Sequence, residues 1–214
     1  MPDSVAFSSK GANKVKYNFP NCEPQHKKAQ KQDNRQRIID AAKRLFYTQG
    51  YNQTSFSEIA DAAGIPRGNF YYYFKSKDDI LAAVIEDRLQ RIHTLLAEWN
   101  KEFSTPRERV QRFVTMLFYS KDDAVRYGCP IGSLSVELSK TQLAMQGKAK
   151  EMFDIFVSWL TTQFNALGQR KASHKLALHL LARMQGISLV ANAYADSDFL
   201  QKEVAEVHKW VEAL

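Results

Sequence analysis

The sequence predicts an all-α protein. Of its 214 residues only 9 are glycine and 6 are proline, and it has no run of alternating Val, Ile and Thr of the kind that forms strands. Instead, apolar residues recur every three or four positions over long stretches, which is the period of an amphipathic helix. With 44% apolar residues, the chain can bury the core of one domain or of two.

Residues 1–32 are polar, rich in lysine and without apolar periodicity. This composition predicts a disordered basic arm. The arm would either add contacts to an anionic partner or have no fixed role, and the sequence leaves both alternatives open. Charge is uneven along the chain, because residues 1–80 hold 13 Lys and Arg against 8 Asp and Glu and so carry most of the net charge of +7.

Two helices are predicted between residue 33 and Gly64. The first covers residues 33–49 and ends at Gly50. Ser55 and Glu58 then form the S-x-x-E capping box that starts a helix at about Phe56. Gly64 ends this second helix, because glycine tolerates the positive φ of a helix C-terminus.

A third, shorter helix is predicted from Pro66, because proline suits the first helical turn. Phe70 and Phe74, one turn apart, would anchor it to the second helix. The other residues of this helix are expected to face outward: Arg67, Gly68, Asn69, Tyr71 and Tyr72. A helical hairpin with an aromatic core is the alternative, but the three consecutive tyrosines at 71–73 cannot all face inward on a 3.6-residue period.

The outward residues have the chemistry of a DNA-binding surface. The guanidinium of Arg67 matches guanine O6 and N7, and Asn69 can read adenine or bind phosphate. Gly68 lets the backbone approach DNA, and at least two of the tyrosines should reach phosphate oxygens. Residues 33–79 are therefore predicted to form a helix-turn-helix domain that places its second helix in the major groove of double-stranded DNA. The basic excess of residues 1–80 agrees with this prediction.

The segment from about Arg37 to Leu81 resembles the DNA-binding domain of the TetR/AcrR repressor family. The resemblance lies in the run IIDAAKRLFYTQGYNQTSFSEIADAAGIPRGNFYYYFKSKDDIL, which fills nearly every habitual position of that family over about a fifth of the chain. It implies DNA contacts at eight residues: Thr54, Ser55, Arg67, Gly68, Asn69, Tyr71, Tyr72 and Lys77. Pro66 departs from the family pattern, which more often has serine there, so a side-chain phosphate contact at position 66 does not carry over.

Residues 80–214 are predicted to form a second helical domain. Ser76, with Asp79 three residues on, is predicted to cap a long helix from Lys77 to about Lys101, which would join the two domains mechanically. A capping box at residues 105–108 opens the next helix, and residues 121–134 are predicted to form a loop before a short helix that ends near Ser139. Three further helices are predicted at about residues 142–167, 172–194 and 198–213.

The last two helices predict a homodimer. Apolar residues of the final helix repeat at alternating intervals of four and three, a narrow seam suited to packing against another helix. The residues predicted for the dimer interface are Leu180, Met184, Ile187, Leu200, Val204, Val207 and Val211. The alternative is that they belong to the chain's own core. The resemblance favours dimerisation, because that family pairs these two helices with their copies in a four-helix bundle, and a two-fold dimer matches an operator with two half-sites.

The middle helices carry methionine and aromatic residues that can enclose an apolar pocket. The predicted lining residues are Phe113, Met116, Tyr119, Cys129, Met152, Phe156 and Trp159. Such residues more often form plain core, but the family resembled binds small inducers in this region. We therefore expect an effector-binding and dimerisation domain over residues 80–214, with a small-molecule effector whose identity the sequence does not reveal.

Cys129 supports a second hypothesis, based on its thiol. It lies between Gly128 and Pro130 at the start of the predicted short helix, where a helix N-terminus can activate a thiol. In some relatives within the family resembled, a Gly-Cys pair at the matching place senses oxidants or electrophiles. Buried cysteines usually behave as small hydrophobes instead, and the sequence leaves both alternatives open.

Other classes of function have little support. The chain has no nucleophile elbow, no phosphate-binding glycine loop and no H-E-x-x-H, and its five histidines are scattered. No catalytic residue, metal site or cofactor is therefore predicted, and the protein is not expected to be an enzyme. No segment approaches the ~18 apolar residues of a membrane span, and the N-terminus lacks the apolar core of a signal peptide. We expect a cytoplasmic protein without a membrane partner.

Together these patterns predict a homodimeric transcriptional repressor that binds a palindromic operator and is released by a small effector. Effector binding would shift the helix that begins at Lys77 and so change the spacing of the two recognition helices. The alternatives are a thiol-based sensor that acts through Cys129 and a constitutive architectural DNA-binding protein that needs no effector.

Overall fold

The computed structural model describes residues 34–141 and 143–214, so the arm predicted at residues 1–32 lies outside the described residues. Within the two described ranges the chain forms ten α-helices and no strand, which confirms the all-α prediction. In chain order the helices are α1 (Asn34–Thr48), α2 (Phe56–Ala63), α3 (Arg67–Tyr73), α4 (Lys77–Glu102), α5 (Pro106–Tyr119), α6 (Lys121–Tyr127), α7 (Pro130–Thr141), α8 (Leu143–Ala166), α9 (Ser173–Tyr194) and α10 (Ser197–Glu212). None of these helices is long and apolar enough to cross a bilayer.

The first three helices enclose an apolar core. The capping box predicted at the start of α2 is present: the Ser55 hydroxyl accepts a hydrogen bond from the Glu58 N–H, and the Glu58 carboxylate accepts one from the Ser55 N–H. Gly64 ends α2 with a φ of 64°, the left-handed conformation predicted for it. Buried side chains of this core come from all three helices and the turns beside them: Ile38, Ala42, Phe46, Tyr51, Ile59, Phe70 and Phe74.

Helix α4 connects the two halves of the chain. It begins with the predicted capping box, in which the Ser76 hydroxyl accepts a hydrogen bond from the Asp79 N–H, and it continues for 26 residues. It packs against α1 near its start and against α8 further along. The domain limit predicted between residues 79 and 80 therefore falls in the first turn of a continuous helix.

The structure corrects the loop predicted at residues 121–134. Residues Lys121–Tyr127 form α6, and α7 begins at Pro130. Asp122 and Asp123 lie in the first turn of α6, where the positive end of the helix dipole favours carboxylates, and Gly128 ends the helix with a φ of 76°. A helix of 7 residues is too short to show a clear apolar period, so its sequence pattern resembles that of a loop.

Helices α8, α9 and α10 complete the C-terminal half. Helix α9 packs along α8, and α10 packs against α5. At the second contact, the Arg107 guanidinium donates a hydrogen bond of 2.5 Å to the Val211 carbonyl oxygen, and Thr115 Oγ1 lies 3.0 Å from His208 Nε2. The predicted bounds of these three helices agree with the observed ones to within about one residue.

Candidate DNA-binding surface and effector region

Helix α3 is anchored by two aromatic side chains. Phe70 and Phe74 are 1% and 4% exposed, which confirms that they face inward. Phe56 of α2 packs edge-on against Phe70, with ring centroids 4.7 Å apart. These contacts fix the rotation of α3 about its own axis, and they therefore decide which of its residues face outward.

The opposite face of α3 is open to a partner. Gly68, Asn69, Tyr71 and Tyr72 are exposed, and Arg67 is the first residue of the helix. A Cβ atom placed on Gly68 would meet nothing within 4 Å, so packing within the chain does not require glycine there. Open space beside a glycine is what the close approach of a backbone to a ligand requires.

Two of the three consecutive tyrosines face outward. The ring centroids of Tyr71 and Phe56 are 5.2 Å apart. Tyr72 packs edge-on against Tyr73, with ring centroids 5.1 Å apart. Tyr73 is turned toward α1, where its hydroxyl accepts a hydrogen bond of 3.3 Å from Asn34 Nδ2. The hydroxyls of Tyr71 and Tyr72 are thus the two that a partner can reach.

Thr54 does not belong to this exposed surface, which corrects the DNA contact predicted for its side chain. It is 1% exposed, and its hydroxyl donates a hydrogen bond of 2.7 Å to the Gly50 carbonyl oxygen and accepts one of 3.3 Å from Gln49 Nε2. The side chain therefore closes the turn between α1 and α2. Ser55 is exposed at the N-terminus of α2, and its DNA contact stays a prediction.

Lys77 has an internal role in addition to the contact predicted for it. Its ammonium donates hydrogen bonds to the carbonyl oxygens of Tyr51 (2.8 Å) and Thr54 (2.9 Å) and lies 4.2 Å from the centroid of the Tyr51 ring. These bonds tie the start of α4 to the turn before α2. Because two of its three N–H groups are used in this way, the predicted DNA contact would fall to the third.

A residue of the C-terminal half also binds the turn between α1 and α2. The Glu137 carboxylate of α7 accepts hydrogen bonds from the backbone N–H groups of Tyr51 (2.9 Å) and Asn52 (2.6 Å). Burial, together with a hydrogen bond to the Asp78 carboxylate, raises the pKa of the Tyr51 hydroxyl. Local sequence patterns give no signal of the Glu137 contacts, since the residues they join are 85 and 86 positions apart.

Part of the predicted effector region is an aromatic cluster in the C-terminal core. Phe113 of α5 and Phe156 of α8 are buried with ring centroids 5.4 Å apart, and Met152 is fully buried on the same helix. Trp159 packs against Trp99 of α4 at 5.8 Å. The cluster therefore joins three helices, one of which, α4, begins beside α1, α2 and α3.

Arg112 is a member of this cluster that the sequence patterns did not predict. It is 7% exposed, and its guanidinium lies 4.8 Å from the Trp99 ring and 5.1 Å from the Tyr119 ring. Burial lowers the pKa of this guanidinium. Tyr119, which was predicted to line a pocket, is 62% exposed and covers the outer side of Arg112 instead. Met116, also predicted to line the pocket, is half-buried. The sequence feature that could have identified Arg112 is its positive charge among the apolar residues of α5.

Cys129 lies apart from the aromatic cluster. Its sulfur accepts hydrogen bonds from the Gly132 N–H and from Gln185 Nε2 of α9, both at 3.4 Å. Arg88 of α4 and the Tyr47 hydroxyl of α1 are close enough to interact electrostatically with the thiol. Burial lowers the pKa of the Arg88 guanidinium and raises that of the Tyr47 hydroxyl. Cys129 is thus linked to α7 and α9 by hydrogen bonds, and α1 lies beside it, because the Tyr47 hydroxyl donates a hydrogen bond of 2.9 Å to the Gly128 carbonyl oxygen.

A surface depression of about 370 Å³ lies between α7 and α8. It is lined by Ser135, Gln146, Gly147, Lys150 and Phe153, none of which was predicted to contact an effector. Across residues 34–141 and 143–214, no group of three or more His, Cys, Asp and Glu side chains is placed to hold a metal ion.

The residues predicted for the dimer interface lie in the interior of the single chain. Each is at most 5% exposed: Leu180, Met184, Ile187, Leu200, Val204, Val207 and Val211. A side chain that its own chain buries has no surface to offer a partner, so the assignment of these residues is corrected. Helix α9 has a second face with exposed large apolar side chains, namely Leu178, Leu189, Val190 and Tyr194.

Two family models match the chain. Residues 38–84 match the model described as "Bacterial regulatory proteins, tetR family", and this segment contains α2 and α3. Residues 106–206 match the model described as "Transcriptional regulator LmrA/YxaF-like, C-terminal domain". The two matches together cover both halves of the chain.

Similar proteins match over most of their length. The chain is 27% identical over 172 residues to an uncharacterized HTH-type transcriptional regulator in the lacX 3′ region of Lactococcus lactis subsp. lactis, covering 78% of this chain and 87% of that protein. It is also 27% identical to the HTH-type transcriptional regulator LmrA of Bacillus subtilis, with 78% and 85% covered. Among solved structures, a TetR transcriptional regulator from Legionella pneumophila has a TM-score of 0.71 at 25% identity, with 88% of this chain and 98% of that chain covered.

Proposed function

The chain belongs to the TetR family of transcriptional regulators, and on this premise we propose that it is a repressor that binds a palindromic operator as a homodimer and leaves it when a small effector binds. The observation that carries the proposal is the exposed outer face of α3, a helix that its aromatic anchors hold in one orientation. Such a protein acts by binding, not by catalysis. Its target is the chromosome, so we expect it in the cytoplasm.

The chemistry of the α3 face supports DNA as the ligand. Arg67 at the start of the helix and Asn69 are the residue types that read guanine and adenine in the major groove. Tyr71 and Tyr72 hold their hydroxyls outward on stiff rings, as phosphate contacts require. Gly68 leaves the backbone beside them uncovered.

The outer face of α9 supports a homodimer. Leu189 and Tyr194 are 68% and 80% exposed, and Leu178 and Val190 add apolar surface on the same helix. Exposed apolar side chains that share one helix are typical of a protein interface. A two-fold dimer through this face would present two copies of α3 to two half-sites.

The aromatic cluster supports a small effector in the C-terminal half. Trp159 packs against Trp99, which lies near the C-terminal end of α4, while Lys77 at the start of the same helix binds the turn before α2. A ligand that displaced Trp159 would therefore act on a helix that continues into the DNA-binding half. If it bound the displaced arrangement more tightly, it would shift the population away from the DNA-binding state.

Selection of genomic fragments by the purified protein, followed by gel-shift titration, tests the proposal. We expect the retained fragments to share one inverted repeat and the complex to contain two chains. A constitutive architectural protein would retain fragments without a common sequence, and that result would contradict the repressor proposal. A screen for compounds that both raise the melting temperature and release the operator would then identify the effector class.

A thiol-based response is a second candidate, which the surroundings of Cys129 favour. Its sulfur receives two N–H groups, and a cationic side chain, Arg88, lies close to it. A Michael acceptor such as a maleimide would add to this sulfur: an S–C bond forms, the S–H bond and the π bond of the acceptor's C=C break, and the neighbouring carbon takes up the proton. The adduct would occupy space between α7 and α9, because Gln185 of α9 touches the sulfur.

A further inference from the structure

Glu137 is a carboxylate of the C-terminal half whose hydrogen bonds reach the DNA-binding half. It lies on α7, and its two oxygens accept separate backbone N–H groups: Oε2 from Tyr51 at 2.9 Å and Oε1 from Asn52 at 2.6 Å. Hydrogen bonds to an ionised acceptor are shorter and stronger than those between neutral groups. The pair of bonds fixes the position of the turn relative to α7, since both oxygens are engaged at once.

The turn is shaped around this carboxylate. Gly50 has a φ of 89°, which side chains other than that of glycine rarely allow, and a Cβ atom there would lie 3.3 Å from each Glu137 oxygen. The Gly50 carbonyl oxygen accepts the Thr54 hydroxyl at 2.7 Å. The conformation of the turn and the approach of Glu137 therefore depend on the same glycine.

Tyr51 connects the Glu137 contact to the starts of two helices. Its carbonyl oxygen accepts hydrogen bonds from Lys77 Nζ and from the Thr54 N–H at 3.3 Å, and its hydroxyl binds Asp78. Lys77 and Asp78 open α4, while Thr54 precedes the Ser55 cap of α2. A displacement of Glu137 would therefore shift the N-terminus of α2. Because α3 follows α2 directly in the chain, α3 would shift with it.

The other end of α7 is fixed to α9. The Gly132 N–H donates to Cys129 Sγ, which also accepts from Gln185 of α9. A Cβ atom on Gly132 would lie 2.5 Å from Gln185 Oε1, so the end of the Gln185 side chain occupies the space beside this glycine. Helix α7 therefore connects α9, where the dimer surface is proposed, with the turn that positions α2.

We propose that Glu137 is a positioning residue through which the C-terminal half controls the recognition helix, along a route that runs through α7 and enters the DNA-binding half at the turn before α2 instead of along the length of α4. The inference rests on the proposed function, because DNA is the ligand of α3 in both. By linkage, if movement of α7 changes DNA affinity, then DNA binding must change the stability of α7.

Hydrogen exchange measured with and without a selected operator fragment tests this route. In the wild-type protein we expect operator to slow amide exchange at Tyr51 and Asn52 and also at residues 133–138 of α7, which belong to the C-terminal half. The wild-type measurement needs no variant, so it decides even if a substitution prevents folding. Unchanged exchange at residues 133–138 on operator binding overturns the inference.

The variant Glu137→Gln keeps the size of the side chain but cannot accept both N–H groups through carboxylate oxygens. We expect amide exchange at Tyr51 and Asn52 to become about tenfold faster, the factor that corresponds to losing one charge-assisted hydrogen bond. We also expect operator to bind more weakly and no longer to slow exchange at residues 133–138. The matched control is Glu151→Gln, an exposed carboxylate on α8 that should behave as wild type.

The outcomes separate the two proposals. If Glu137→Gln keeps the wild-type response of α7 to operator, the route does not pass through Glu137 and the inference is overturned. If it folds, with a melting temperature lowered by no more than about 5 °C, but binds operator more weakly while Glu151→Gln binds it as wild type does, the positioning role is supported. If the wild-type protein binds no selected DNA, the proposed function itself fails, and this inference falls with it.

Discussion

The Lys43 ammonium lies 2.8 Å from the Asp87 carboxylate and so joins α1 to α4 inside the DNA-binding half. Lys43 is 8% exposed, and it also lies 2.6 Å from the Asp40 carboxylate. Asp87 accepts further hydrogen bonds from Arg91 (2.7 Å) and Gln36 (3.1 Å). Burial opposes ionisation of Asp87, but the hydrogen bonds from Lys43 and Arg91 outweigh it and lower the pKa of Asp87.

Replacing Asp87 by Asn should destabilise the fold. The change would leave the buried Lys43 charge with Asp40 as its remaining carboxylate, and we expect the free energy of unfolding to fall by about 2 kcal/mol. Urea unfolding measures this difference. Asp154→Asn, which removes the exposed ion pair with Lys150, is the control and should cost about 0.5 kcal/mol or less. Equal losses in the two variants would show that the Lys43–Asp87 pair is energetically unimportant.

The same pair should make stability depend on pH. Because the pKa of Asp87 is lower in the folded than in the unfolded chain, its contribution is complete above the unfolded value of about 3.9 and is lost as the pH falls through the folded value. Wild type should therefore lose more unfolding free energy than Asp87→Asn between about pH 5 and about pH 3. Parallel losses in urea titrations at the two pH values would contradict this expectation.

Removing the outward hydroxyls of α3 should weaken DNA binding without changing sequence preference. We expect Tyr71→Phe and Tyr72→Phe each to cost about 1 kcal/mol of affinity for selected operator and for unrelated DNA alike, because phosphate contacts carry no sequence information. Gel-shift titration gives both values. Tyr119→Phe serves as the control, because it removes the hydroxyl of an α5 tyrosine whose exposure of 62% lies between the 55% of Tyr71 and the 79% of Tyr72. Unchanged affinity in both α3 variants would mean that this face does not contact DNA.

A charge on the outer face of α9 should separate the dimer. We expect Leu189→Glu to give a monomer by light scattering, with the melting temperature of the single chain retained, because Leu189 is 68% exposed. Val207→Glu should unfold the chain instead, since Val207 is fully buried and an unpaired buried charge costs more than about 3 kcal/mol. Val136→Glu, at a 58% exposed position of α7, should remain dimeric. A dimeric Leu189→Glu would place the interface elsewhere.

Alkylation distinguishes the thiol response from ordinary ligand binding. If Cys129 is a switch, N-ethylmaleimide should release wild-type protein and Cys22→Ser from operator but leave Cys129→Ser bound. Gel shift follows the release, and mass spectrometry confirms which cysteine carries the adduct. Release of wild type and Cys129→Ser alike, or of neither, would rule the switch out.

Local signals in the sequence were sufficient to predict most helices, because the residues that cap or end a helix act on neighbours only three or four positions away. The Ser55–Glu58 and Ser76–Asp79 boxes and the left-handed Gly64 are all present where the pattern placed them. Helix α6 was missed because 7 residues are too few for an apolar period. The anchors Phe70 and Phe74 were recognisable by their spacing.

Assignments that depend on tertiary contacts were less predictable. Periodicity shows that the face of α10 containing Val207 is buried, but it cannot show whether the same chain or a partner buries it. The resemblance predicts a DNA contact at Thr54, whereas its hydroxyl donates a hydrogen bond to the Gly50 carbonyl oxygen. The place of a residue in a sequence motif does not reveal such a bond. The bonds from Glu137 to Tyr51 and Asn52 join distant parts of the chain and could be found only in the folded structure.

In α3, the residues that anchor the helix are distinct from those that face outward. Phe70 and Phe74 supply the packing, whereas Gly68, Asn69 and Tyr72 add little to the core. Substitutions at exposed positions outside such anchors usually change stability by about 0.5 kcal/mol or less. Natural selection can therefore vary these positions almost independently of folding. After a gene duplication, a few codon changes would suffice for the two copies to diverge in the DNA they recognise while keeping one scaffold, and a library randomised at these positions should yield new specificities from mostly folded variants.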